Sequence, residues 1–385
     1  MSPTVLPVST PAAPAALLHA IALSLVPGVG GVLIRQLISY GGSAEAVLEM
    51  PVARLLKIPG VGEVTARAIR QPDVLPTAER VVRHLEKLGA TALFYTDATY
   101  PARLRLLYDA PALLYFLGNA NLNAPRTLGL VGTRQATDYG RRVTEELVQA
   151  MQPYGVSIMS GLAYGIDIAA HRASLQAGLP TVGVMASGLD VIYPQVHSRT
   201  AQDMQTLGGL LTEHVPGTKP DPRFFPARNR IIAGLSDAVV VVEAAAKGGA
   251  LITADYANNY NRDVFAVPGQ LAQQFSAGCN KLIRENKAQI YTSPQDLIEA
   301  LNWDKDPAAQ AQGKSSSSQP LPLDFTTDET QIVSLLRTKP GLHIDELSWQ
   351  SQISMGQLAS LLLSLEFRGY VRSLPGKRYE VVWSQ

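Results

Sequence analysis

The stretch Leu128-Gly129-Leu130-Val131-Gly132-Thr133-Arg134 decides the fold. A short uncharged run closing on glycine, with a helical pattern starting near Tyr139, is the signature of a buried strand turning into a helix. Such a turn aims helix-start N–H groups into the crevice above a parallel sheet, where anions are favoured. Gly132 lets the backbone approach a ligand, and Arg134 adds a positive fork. The run is neither a complete G-x-G-x-x-G nor a lysine-bearing phosphate loop. Alone, a tight turn beside a solvated arginine explains it equally well.

The same texture extends on both sides. Apolar runs at 92–95, 113–117, 128–131, 155–159, 181–185, 209–212, 238–242, 264–267 and 289–291 alternate with helical patterns such as 141–151, 166–177 and 251–260. That alternation predicts a doubly wound, Rossmann-like α/β domain over 91–301. Upstream, 16–90 reads as helical, with two similar turns, Val26-Pro27-Gly28-Val29-Gly30 and Ile58-Pro59-Gly60-Val61-Gly62. Residues 1–15 read as a flexible tail and the Ser/Pro-rich 302–324 as a linker. In 325–385, helical patterns at 330–337, 343–349 and 354–367 precede a hairpin at 370–382 turning on Pro375-Gly376. That is the winged-helix order.

Composition narrows the function. The 385 residues carry 33 Lys+Arg against 32 Asp+Glu, so any polyanion site is a local patch rather than a global coat. The single cysteine, Cys279, supports neither an internal disulfide nor a zinc cluster. With no signal-peptide charge pattern and no long apolar run, a cytoplasmic location is expected.

Four further segments bear chemistry. Ser160-Gly161-Leu162-Ala163-Tyr164-Gly165-Ile166-Asp167 follows a strand, and Asp167 is read as fixing the loop with His171 as its partner. Asp at a helix start is also ordinary dipole complementarity. Phe224-Phe225-Pro226-Ala227-Arg228-Asn229-Arg230 opens a helix, and cations there oppose its dipole unless an anion lies between them. Rings beside arginines suit single-stranded nucleic acid, although a core role for Phe224 or Phe225 competes. Lys247-Gly248-Gly249 is another glycine turn, and Gly278-Cys279-Asn280-Lys281 leads into Arg284. These turns concentrate donors on the ligand rim of an open sheet. No H-E-x-x-H, C-x-x-C or G-x-S-x-G occurs, so no catalytic residue, metal ligand or cofactor is assigned.

The motifs Val131-Gly132-Thr133-Arg134, Ser160 to Asp167, Gly188-Leu189-Asp190-Val191-Ile192-Tyr193-Pro194, Phe225 to Ala233, Gly249 to Ala254, Val264 to Gly269 and Gly278 to Ile283 resemble, in order, those of the DNA-processing protein A family (DprA, or Smf). The resemblance implies a single-stranded-DNA-binding recombination mediator that protects incoming strands in natural transformation. It also implies a RecA-type recombinase as partner and a homodimer formed through the Rossmann-like domain. Carried onto this chain, the DNA pocket comprises Arg134, Ser160, Gly161, Phe225, Arg228, Asn229 and Lys281. Neighbouring Gly132, Thr133, Gly165, Asp167, Arg230, Lys247 and Asn280 complete the candidate set.

Three departures stand out. Lys247-Gly248-Gly249 replaces the family's usual Ser-Gly-Ser or Ser-Gly-Thr, Cys279 a usual Thr, and Asn286-Lys287-Ala288 a frequent Gly-Ala. The proline-glycine turns look like tandem helix-hairpin-helix elements, but eight Lys/Arg against six Asp/Glu over 16–90 give thin support for phosphate binding. The winged-helix recognition segment shows Gln357, Ser360 and Ser364 and no Lys or Arg before Arg368, so a protein-contact or weak backbone-contact role is expected. The competing class is a Rossmann-type nucleotide phosphoribohydrolase, of which Glu243 and the Lys247 turn are a loose echo.

Overall fold

A computed structural model describes residues 14–304, 325–339, 341–368, 370–374 and 378–381. The expected tail up to residue 13, the Ser/Pro linker from 305 to 324 and the Pro375-Gly376 turn lie outside the described residues. The chain divides into two units, 1–307 and 308–385.

The first unit opens with six helices: α1 (Pro14–Leu25), α2 (Gly31–Gly41), α3 (Ala44–Glu49), α4 (Val52–Leu55), α5 (Glu63–Ile69) and α6 (Val74–Leu88). The two proline-glycine turns have the same geometry. Gly28 and Gly60 take φ of +80° and +81°, where a side chain would be strained, and Gly30 and Gly62 enter α2 and α5 at φ −89°. Val29 N–H donates to the Val26 carbonyl and Val61 N–H to that of Ile58, at 3.0 and 3.1 Å. This is a tandem helix-hairpin-helix. Its core of Ile21, Leu23, Leu37 and Leu55 runs on into Phe94, Leu113, Tyr115 and Met204, so these helices share their interior with the sheet.

Next come β1 (Thr91–Phe94), α7 (Ala102–Arg105), β2 (Leu113–Gly118), β3 (Thr127–Val131), α8 (Asp138–Ala150), β4 (Ser157–Ser160), α9 (Ile166–Gln176) and β5 (Thr181–Val184). They are followed by α10 (Ser198–Leu207), β6 (Gly209–Thr212), α11 (Phe224–Leu235), β7 (Ala238–Val241), α12 (Gly249–Asn259), β8 (Asp263–Ala266), α13 (Ala277–Arg284), β9 (Gln289–Ile290) and α14 (Pro294–Ala300). All nine expected strands belong to one sheet, in the order β1-β2-β6-β5-β4-β3-β7-β8-β9. The seven from β6 to β9 run parallel, while β1 and β2 are antiparallel additions at one edge.

Strand periodicity sorts the apolar side chains to two faces. Leu128, Leu130 and Val240 meet Leu147 and Val148 of α8, whereas Val131, Val239 and Val241 meet Ala254 and Ala257 of α12. Gly155, expected within the fourth strand, instead turns the chain at φ +60°, and the strand begins at Ser157.

The second unit contains α15 (Thr327–Thr338), β10 (Leu342–His343), α16 (Ile344–Ser351), α17 (Met355–Phe367), β11 (Val371–Leu374) and β12 (Arg378–Val381), with sheet order β10-β12-β11. Ile332, Leu336, Leu347, Leu358 and Leu362 form its separate core. It is a winged helix. His343, expected to be helical, closes β10 and caps α16 by accepting the Asp345 N–H. Gln357 donates to Asp328 at 2.9 Å, so one of the polar groups on α17 is engaged within the unit.

Candidate nucleic-acid interface

Topology makes the cleft. The chain leaves β3 through β4 and β5 to β6, returns to β7 on the other side of β3, and continues outward through β8 and β9. With α8 and α12 on opposite faces, the carboxyl ends of β3 and β7 part at a switch point, the usual ligand crevice of such sheets. A cavity of about 370 Å³ opens there, between the Gly132–Gln135 turn after β3 and the Ala244–Ala250 turn after β7, with Arg228 and Asn229 of α11 at its wall.

The turns are held closely. Thr133 N–H donates to the Glu243 carbonyl at 2.7 Å, and the Thr133 carbonyl accepts the Ile166 N–H at 3.2 Å. Gly165 is required at this crossing: its φ is +78°, and a Cβ would stand 2.1 Å from the Thr133 oxygen. Ser160 lies beneath, donating its hydroxyl to the Leu130 carbonyl at 2.6 Å.

Arg228 is 4% exposed and serves the scaffold. Its guanidinium donates to the carbonyls of Gly161, at 2.6 Å, and Val184, while Nε donates to Asn229 Oδ1 at 3.1 Å. Asn229 in turn donates to the Gly249 carbonyl at 3.1 Å, tying α11 to the start of α12. Buried Asp167 accepts the Gly161 N–H at 3.2 Å. Gly161 is thus gripped at its N–H by a carboxylate and at its carbonyl by a guanidinium. Burial lowers the Arg228 pKa to about 10 and raises that of Asp167, and each charge partly offsets the other's shift. The anion that lets a cation sit near the start of α11 is therefore the Asp167 carboxylate.

His171 is not hydrogen-bonded to Asp167 as expected. Its Nε2 accepts the Leu162 N–H at 3.2 Å, and its Nδ1 faces Thr181 Oγ at 2.7 Å. Because Thr181 donates to the Ile158 carbonyl, the imidazole is neutral with its proton on Nδ1. Burial first, then the Arg228 and His197 charges, lower its pKa to about 3.

The mouth is different in kind. Arg134 is exposed, its guanidinium 5.2 Å from the ring centroid of half-buried Phe225. Tyr193 meets Phe225 edge-on at 5.8 Å, and Tyr164 stands 5.1 Å from His197. Lys247 is exposed on the opposite lip. Among the described residues neither Arg134 nor Lys247 forms an ion pair, so both charges remain available to an anion.

The cleft thus gathers Gly132, Thr133, Arg134, Asp167, Phe225, Arg228, Asn229 and Lys247, with Gly161 in the adjoining hollow beside Tyr164 and Tyr193. Arg230 does not line it. Residues two apart face different sides of a helix, and Arg230 pairs with Glu213 and donates to the Asp109 carbonyl at 2.6 Å. Asn280 grips both polar atoms of the Gly269 backbone, and Lys281 is exposed one residue beyond, outside the cleft lining. Sequence reasoning left Tyr164, Tyr193 and Phe275 out of the site. Both tyrosines lie in the quoted motifs and could have been named, but Phe275 carries no local signal.

Glu243, the echo of a hydrolase, is occupied elsewhere. It is buried, and its carboxylate accepts the Thr137 N–H at 2.9 Å and the Thr137 hydroxyl, holding the start of α8. This does not favour the phosphoribohydrolase alternative.

Fold and cleft define a doubly wound α/β protein with a cation-lipped switch-point site, flanked in sequence by helix-hairpin-helix and winged-helix modules. Residues 91–302 match the family model for DNA recombination-mediator protein A, 312–377 the DprA winged helix domain, and 20–71 a SAM-like helix-hairpin-helix tandem. The chain belongs to the DprA/Smf family. Protein Smf of Synechocystis is 33% identical, covering 94% of this chain and 97% of that protein. DNA processing protein DprA of Bacillus subtilis is 41% identical, over 59% of this chain and 76% of that one. Among solved structures, DprA of Streptococcus pneumoniae matches with a TM-score of 0.61 and 35% identity, covering 73% of this chain and 96% of that one. DNA processing protein A of Helicobacter pylori, whose structure concerns single-stranded DNA binding, matches at 0.51 and 30%, covering 56% and 97%.

Proposed function

We propose that this chain binds single-stranded DNA at the switch-point cleft and acts as a recombination mediator in the cytoplasm, without turning over nucleotide. The observation that carries the reading is the Arg134–Phe225 pair at the mouth: an unpaired guanidinium for phosphate beside a ring able to stack on a base. Lys247 supplies a second cation, while Arg228, Asn229 and Asp167 hold the turns in shape. Single strands expose their base faces and a duplex does not, so the cleft selects by strandedness rather than sequence. The single-stranded DNA binding of the related Helicobacter pylori protein supports the same reading.

As a mediator, the protein protects incoming strands during transformation and hands them to a RecA-type recombinase, working as a homodimer through the Rossmann-like domain. The domain limits proposed are 16–90, 91–301 and 325–385, with the tail 1–15 ahead of the first and the linker 302–324 before the last. The test is recombinase ATP hydrolysis on single strands already coated by a single-strand-binding protein. This chain should shorten the lag before hydrolysis, and Arg134→Ala should restore it. A lag that the parent protein leaves unchanged contradicts the mediator role.

A further inference from the structure

A second cleft, of about 830 Å³, lies between the start of α8 and the segment after β8, and Phe275 walls both it and the first. Phe275 is half-buried, and its position is fixed by backbone hydrogen bonds. Its carbonyl accepts the Ala244 N–H at 2.7 Å, and the Gly278 N–H returns to the Ala244 carbonyl at 2.8 Å. The outer wall is anchored as well. Tyr139 donates to the Pro268 carbonyl at 3.1 Å, and Asn280 donates to the Gly269 carbonyl at 2.9 Å. The two clefts therefore share Phe275 as a common wall.

The second cleft offers a phosphate one exposed cation at its lip. Arg142 is exposed at its lip and, among the described residues, forms no ion pair. Two acids of the lining are engaged, while Glu146, one helical turn on from Arg142, is exposed and its charge acts on Tyr139. Asp138 is paired with Arg141 at 2.9 Å, and Glu243 is buried and engaged by Thr137. Gln270 and Gln273 line the trough with side-chain amides that can meet any base edge, since each amide both donates and accepts.

We propose that a single strand seated in the first cleft continues over Phe275 into this second cleft, with a base stacked on the Phe275 ring and Arg142 on a phosphate beyond it. The inference rests on the single-stranded-DNA reading of the first cleft and adds the direction the strand takes. It makes the site one continuous track rather than a single pocket. Phosphate affinity then grows with strand length until Arg142 is reached, because each neutralised phosphate releases counterions.

The test titrates oligothymidylates of increasing length, from a trinucleotide upward, into the full chain by fluorescence anisotropy. Parent protein, Arg134→Ala, Arg142→Ala, Phe275→Ala and Phe275→Trp are compared, each with its thermal unfolding midpoint. Arg134→Ala should weaken every length. Arg142→Ala should leave the trinucleotide unaffected, weaken long strands several-fold, and shallow their salt slope by about 0.7. Phe275→Ala should weaken long strands by roughly 5–150-fold and Phe275→Trp should restore them, following the worth of one base–ring stack. Because Arg142 is exposed, its substitution keeps the test valid even if Phe275→Ala fails to fold. Should the parent bind strands while Arg142→Ala matches it at every length and salt, the second cleft is no part of the track. A parent that binds no strand of any length overturns the reading of the first cleft, and this inference with it.

Discussion

Nε2 of His171 accepts the backbone N–H of Leu162 at 3.2 Å, which requires that ring to be neutral in the folded protein. Leu162 holds a left-handed backbone, φ +57°, and its carbonyl lies 2.9 Å from His197 Nδ1. Two histidines thus fix the turn that presents Gly161 and Tyr164 to the cleft.

The first prediction is a pH dependence of stability. The folded pKa of His171, about 3, lies below the ordinary 6.5, so the unfolded chain takes up a proton that the folded chain refuses. The stabilisation is complete above pH 6.5 and is lost as pH falls toward 3. At its steepest the slope is about 1.4 kcal/mol per pH unit for this one proton. Asp167, whose pKa burial raises, works in the opposite sense, so the two are separated by substitution. Urea unfolding at pH 7 and pH 5 should show a smaller loss in His171→Gln than in the parent. Equal losses would mean that His171 takes up its proton over the same pH range in the folded and unfolded chain.

Arg228→Ala should destabilise the fold before it says anything about DNA. Removing the guanidinium leaves Asp167 buried without its compensating charge, at a cost of about 3–5 kcal/mol. Adding Asp167→Asn should recover part of that loss. Chemical denaturation of the single and double variants measures it, and an Arg228→Ala protein as stable as the parent contradicts the scaffold role.

Arg134→Ala should do the reverse. The side chain is exposed, so stability should stay within about 0.5 kcal/mol. Affinity for single strands should fall alike for all sequences, with a salt slope shallower by about 0.7. Titrations at two salt concentrations decide, and parent-like binding at both removes Arg134 from the site.

Phe225→Ala separates two roles that the half-buried ring could fill. As a stacking platform, its loss should cost on the order of 1–3 kcal/mol of DNA affinity at an unchanged unfolding midpoint. A lowered midpoint with affinity unchanged in the folded population would show a core residue instead.

Much of this architecture was legible because parallel strands buried on both faces leave near-continuous apolar runs, as in Ala238–Val241. The repeated turns at Gly28 and Gly60 were legible because only glycine tolerates φ near +80°. Charge roles were not. Arg134 and Arg228 look alike in sequence, yet one is exposed at the mouth and the other is closed behind Gly161. Burial is set by the long-range approach of α11 to the end of β4, which no local pattern records. Phe275 stayed hidden for the same reason, because its place depends on pairing with Ala244, thirty-one residues away in sequence.

The most direct test of the central claim compares an unstructured single strand with a blunt duplex of the same length, titrated into the full chain at low and high salt. A local patch of roughly three to five phosphate contacts predicts clear preference for the single strand and a log–log salt slope of about −2 to −3.5. Equal affinity for the duplex, or binding insensitive to salt, would contradict single-strand recognition at this cleft.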